Sequence, residues 1–151
     1  MLEMSSMNFV FLGWLLLVIL SCFVVFFDVR SRIISNRVCG FVMLVSIFIF
    51  TVSSEQIIGI YNLLVGIFFL FFYVFSFWGG GDTKLAIAFL PAISSQYALL
   101  FLIGIGLLGG VLLSVYLIAG LRRGFDEIKK GGLPFGIPIC ISGLLCVAAS
   151  L

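Results

Sequence analysis

An all-α membrane protein, a bundle of six transmembrane helices with the fourth short or tilted, is the fold class this sequence predicts. Three observations predict it. The 151 residues are 64% hydrophobic and only 9% charged, whereas a soluble domain carries about a quarter charged residues to cover its surface. Mean hydropathy is +1.40, carried by apolar runs separated by short polar stretches. The basic residues, finally, gather in three of those stretches. A bilayer offers the backbone no hydrogen-bond partner, so only helices or a closed barrel can cross it. Phe68 to Phe77 lacks the in–out alternation that a barrel strand needs.

The elements follow in order. The run Phe9 to Phe27 is longer than a signal-peptide core and is preceded by Glu3 rather than by basic residues, so it is expected to stay on the protein. A polar stretch, Asp28 to Arg37, leads to a second run, Val38 to Val52, and Ser53 to Gln56 makes a turn. The third run, Ile57 to Trp78, is long enough to cross about 30 Å of hydrocarbon. It stops at Gly79-Gly80-Gly81-Asp82. As one helix, Thr83 to Gly120 would reach about 57 Å, nearly twice the core thickness. It is therefore split near Ser94-Ser95-Gln96, just after Pro91. The first half is short, and is tilted or partly re-entrant, with its free backbone groups facing protein or water. A basic loop, Leu121 to Gly132, precedes Leu133-Pro134-Phe135-Gly136 and a last run to Leu151.

If crossings alternate, Arg30 to Arg37, Gly79 to Lys84 and Arg122 to Lys130 fall on one side, with all eight Lys and Arg. The positive-inside rule makes that side cytoplasmic and puts both termini outside. Residues 1–151 read as a single polytopic domain.

Several chemistries are excluded at once. A net charge of +2 implies no nucleic-acid partner. The absence of histidine removes Ser-His and Cys-His dyads and zinc-protease helices. Cys22, Cys39, Cys140 and Cys146 form no Cys-x-x-Cys pair and read as packing residues, so neither a metal nor another cofactor is expected. That leaves the acids. Asp28 ends the first run and Asp82 begins the fourth, both at the predicted cytoplasmic face, whereas Glu3 and Glu55 lie on the other side. Asp126 and Glu127 sit among Arg122, Arg123, Lys129 and Lys130, as in a solvated loop.

Two carboxyl groups at one depth on different helices can hydrolyse a peptide. The ionised one takes a proton from water, and the neutral one donates a hydrogen bond to the carbonyl oxygen. Like charge and desolvation make such a pair share one proton. Gly79 to Gly81 permit tight turns and close approach of another chain beside Asp82. Each feature also has a plainer reading: the glycines end a helix, Asp28 pairs with Arg32 four residues on, and Lys84 anchors a helix end.

Gly79-Gly80-Gly81-Asp82-Thr83-Lys84-Leu85 resembles the Gly-x-Gly-Asp-x-Lys-Leu signature of type IV prepilin peptidases, aspartic proteases with six transmembrane helices. Asp28 with Arg30 and Ile34-Ser35-Asn36 is similar to the family's first aspartate and its Ile-Pro-Asn, with Ser35 in place of proline. Leu133-Pro134-Phe135-Gly136 resembles its Pro-Tyr/Phe-Gly element. The resemblance implies that Asp28 and Asp82 are the catalytic pair and that Gly79, Gly81 and Lys84 shape the second acid's surroundings. It gives Asn36, Pro134 and Gly136 supporting roles. It implies, too, a prepilin or pseudopilin substrate with a short basic leader and an apolar helix, cut at the cytoplasmic face of the cell (inner) membrane.

Only about ten residues join the first two runs. No methyltransferase domain of the kind many relatives carry is therefore expected, as in the short, peptidase-only form associated with tight-adherence pili. Two rivals stand beside this reading. One is a non-enzymatic membrane assembly component or small carrier, with Gly104, Gly106, Gly109 and Gly110 as packing faces. The other is a presenilin-like Gly-x-Gly-Asp protease, against which Phe27 stands where those proteins have tyrosine. Reporter fusions at Ser54 and Lys130 are expected to report opposite sides of the membrane; the same side for both contradicts the alternation of crossings.

Overall fold

The computed structural model describes residues 2–53, 58–75, 78–123 and 133–151, with backbone only at 2–6, 122 and 123. The helices are α1 (Leu2–Ser31), α2 (Asn36–Val52), α3 (Ile60–Val74), α4 (Gly80–Phe89), α5 (Ser95–Arg123) and α6 (Gly136–Ser150), with a 3-10 turn at Leu90–Ala92. No strand occurs among the described residues. Two helices are long and apolar enough to cross a bilayer, over Met7–Ser31 and Ser95–Leu121. α2, α3 and α6 are apolar but shorter, with 17, 15 and 15 residues. With ten residues, α4 reaches about 15 Å and does not span. The all-helical expectation therefore holds, and the fourth segment is short, as its sequence suggests.

The surface is apolar where a soluble protein's would be charged. Phe23 and Phe26 of α1, Leu64 and Phe71 of α3, and Leu107 and Val111 of α5 all face outward. Buried polar residues, Ser21, Asp28, Ser46, Asn62, Thr83 and Ser142, lie inside. Large apolar side chains on every outer face have no favourable partner in water and a good one in lipid. The chain is built for a membrane.

α4 is the innermost element. It packs on α2, α3 and α6, and Thr83, Leu85, Ala86, Ala88 and Phe89 are buried, so it presents almost no solvent face. Phe89 lies on Gly143 of α6, where any Cβ would come within 2.8 Å of the ring. Around this core, α1 packs on α2 and α6, while α5 packs on α3 and α6.

The chain breaks between α4 and α5 where its polar patch predicts. Pro91 has no N–H and follows the end of α4, and Ser95 opens α5. The break frees backbone groups deep in an apolar protein, and side chains meet them. Nδ2 of Asn62 on α3 donates to the carbonyls of Leu90 and Ile93 at 3.2 and 2.8 Å. Its Oδ1 accepts the N–H of Gly59 at 3.3 Å. The N–H of Ser94 donates to the Ser150 hydroxyl at 2.9 Å. A broken helix survives in lipid only when protein satisfies its free amides in this way.

Asn62→Leu is expected to leave both carbonyls without their side-chain donor and to destabilise the fold by about 2 kcal/mol. The measurement is the thermal midpoint in detergent, and an unchanged midpoint contradicts the role given to Asn62.

Candidate active site

Four helix ends converge at one end of the bundle: the C-terminus of α1 and the N-termini of α2, α4 and α6. Asp28 belongs to the last turn of α1 and is only 5% exposed. Its Oδ2 accepts the backbone N–H of Gly136, the first residue of α6, at 2.8 Å. The first amides of a helix have no intrahelical acceptor and carry partial positive charge, so this end suits a carboxylate. The contact depends on glycine. A Cβ at position 136 would lie 2.7 Å from Oδ2 and 3.2 Å from the carboxyl carbon. Pro134, buried just upstream, belongs to the turn that brings Gly136 here, closed by the Phe135 N–H donating to the Leu133 carbonyl at 2.9 Å.

Asp82 sits half-buried in the first turn of α4. Gly79 caps that helix in an extended conformation (φ −64°, ψ 142°), and its carbonyl accepts both the backbone N–H and the hydroxyl of Thr83. The Asp82 carboxylate folds back over the cap, so that a Cβ on Gly79 would stand 3.0 Å from Oδ2. At Gly81 a Cβ would stand 3.1 Å from the Cβ of Ile34, in the loop after α1. Neither glycine adopts a left-handed backbone. What they supply is close approach, and the tight-turn reading is not needed.

Lys84 does not turn toward the acids. Its Nζ donates to Oδ1 of Asn36 at 3.0 Å, tying α4 to the first residue of α2. Ser35, before Asn36, holds φ −67°, the value a proline ring would impose, so the serine keeps the loop's geometry without the ring. The direct Asp28–Arg32 pairing is not formed either: the Arg32 guanidinium donates to the Tyr116 hydroxyl at 3.0 Å.

The two acids, far apart in the chain, act on each other. Burial first, and then the neighbouring Asp28 carboxylate, push the Asp82 carboxyl up to about 7. Below about pH 7 Asp82 therefore keeps its proton. An apolar groove of about 450 Å³ opens beside the site, lined by Phe68, Phe72, Trp78, Leu102, Ile105, Gly106 and Phe135. Trp78 precedes Gly79, Phe135 precedes Gly136, and the two rings meet edge to face at 5.9 Å.

The cysteines are free thiols, Cys39, Cys140 and Cys146 buried and Cys22 exposed. Glu55, Asp126, Glu127, Lys129 and Lys130 lie outside the described residues. Sequence reasoning passed over Tyr116 and Asn62. For Asn62 the signal was a lone amide within an apolar run.

Two acids within electrostatic reach of each other and partly shielded from water have the makings of an acid–base pair. The model of the type IV leader peptidase family matches residues 14–114. Asp28, Asn36, Gly79, Gly81, Asp82 and Lys84 fall within the match, and Pro134 and Gly136 beyond it. No curated protein matches the chain, and no solved structure does.

Gly136→Ala is expected to destabilise the protein by roughly 1–3 kcal/mol through the Cβ–carboxylate overlap. In an Asp28→Ala background the same change is expected to cost much less. A double-mutant cycle of thermal midpoints measures the coupling, and additive effects contradict the contact.

Proposed function

The chain belongs to the type IV leader peptidase family and is a protease, and we propose that Asp28 and Asp82 are its catalytic pair. The observation that carries the reading is their convergence. Helix ends from opposite parts of the sequence bring two acids within electrostatic reach, one bound by the first amide of α6 and the other neutral to about pH 7.

In this mechanism a water lies between the carboxyl groups. Asp28, the carboxylate, takes a proton as the water oxygen attacks the peptide carbon. Asp82, protonated, donates a hydrogen bond to the carbonyl oxygen as charge gathers there. The tetrahedral intermediate collapses when a proton passes to the leaving amine, and the pair returns to sharing one proton. Gly79 and Gly136 let backbone and carboxyl groups lie this close, Gly81 admits Ile34, and Lys84 and Asn36 fix α4 against α2.

The substrate is a prepilin or prepilin-like protein, whose short basic leader is removed at the cytoplasmic face of the cell membrane. Its apolar helix would lie in the bilayer and reach the acids along the groove ending at Trp78 and Phe135. The positive-inside rule, with both termini outside, places the three basic loops beside a basic leader's entry side. The turn between α1 and α2 spans only residues 32–35, which supports a peptidase-only enzyme.

Asp28→Asn and Asp82→Asn keep size and polarity but cannot exchange the proton. Each is expected to insert normally and to lose about a thousandfold or more in cleavage of a co-expressed prepilin. For the unaltered protein the rate is expected to fall as pH rises through about 7, where Asp82 gives up its proton. Normal processing by either variant sinks the assignment.

A further inference from the structure

Arg32 is the one non-glycine residue with a left-handed backbone among the described residues, at φ 55°. It follows the last residue of α1, and its N–H donates to the carbonyl of Asp28 at 3.0 Å. That single bond is the left-handed way of ending a helix, at a position glycine fills freely and a side chain only against steric resistance. Such strain persists when the surroundings grip the residue firmly. Here they do: Nη2 donates to the Tyr116 hydroxyl of α5 at 3.0 Å, and the guanidinium carbon lies 5.8 Å from the centre of the Tyr116 ring, within cation–π reach. Nη1 is enclosed without a hydrogen-bond partner. A positive charge is thereby fixed about one helical turn beyond Asp28, yet held off its carboxylate.

The first amide of α6 already favours the ionised form of Asp28. A fixed cation nearer to Asp28 adds to that bias, because it favours the ionised form of its neighbour. Asp28 is faced by Asp82 from α4 and by the Cys140 thiol from α6. From α2 comes Cys39, on which Lys84 and Asp82 act. Arg32 is the cation acting on Asp28 among the described residues. A direct two-pronged ion pair would bind the carboxylate too tightly for it to accept a proton readily. Spending the guanidinium's donor on Tyr116 avoids this.

We infer that Arg32, clamped by Tyr116, is a positioning residue that reinforces Asp28 as the base and helps leave the shared proton with Asp82. The inference rests on the reading of Asp28 and Asp82 as the catalytic pair. Its test is the pH profile of leader cleavage in membranes, with the inserted amount of each variant measured alongside. Arg32→Gly suits the left-handed position better than arginine does, so it removes the charge without a backbone penalty. It is expected to insert like the parent, to lose about tenfold in rate, and to move the acid limb of the profile up by about one pH unit.

Tyr116→Phe is expected to move the limb the same way by less, and Arg32→Lys to restore most of the shift. If Arg32→Gly does not accumulate, the profiles of the other two variants decide. An acid limb that stays in place while Asp28→Asn and Asp82→Asn are inactive overturns the inference and leaves the pair standing. Activity in either aspartate variant overturns both.

Discussion

A buried carboxylate has to be given a donor, and for Asp28 that donor is the first free amide of the last helix. The bond joins the two ends of the chain, and much of the site's geometry follows from it. α6 must start beside α1, so Pro134 and Phe135 form a turn there, and residue 136 must lack a side chain. α4 then lies between α2 and α6 with its own N-terminus at the same level, which brings Asp82 to Asp28. Desolvation alone would make two such acids costly. A helix N-terminus on one side and a retained proton on the other make the arrangement tolerable.

Much of this was legible in the residues. The helical class followed from hydropathy, and the break after Pro91 from the impossibility of a single span over Thr83 to Gly120. The two acids stood out because nothing else along the chain could do proton chemistry. Other features were hidden because they are relations between distant positions. The sequence shows Lys84 as a cation beside an acid, whereas its partner is Asn36, placed there by α2. It shows Asp28 and Arg32 at ion-pair spacing, but a left-handed residue at the helix end turns the guanidinium toward Tyr116. The glycines before Asp82 look like turn formers. Their surroundings give a different reason, the approach of a carboxylate to Gly79 and of Ile34 to Gly81.

The polar residues of this protein divide into two sets with different duties. Asn62, Ser94 and Ser150 repair a backbone that Pro91 interrupts at the C-terminal end of α4. Asp28, Asp82, Lys84 and Asn36 gather at the other end of α4, around its N-terminus. The short helix is thereby held by polar contacts near both of its ends.

The uneven helix lengths have a consequence for the surrounding lipid. α3 and α6, of 15 residues each, extend about 22 Å, against a hydrocarbon layer of about 30 Å, while α1 and α5 are long enough to match it. Hydrophobic mismatch of this kind obliges the nearby bilayer to thin, or the long helices to lean, at a fraction of a kcal/mol per Å. Thinning beside the short helices brings the headgroup boundary, and the water it carries, closer to the level of the carboxyl groups.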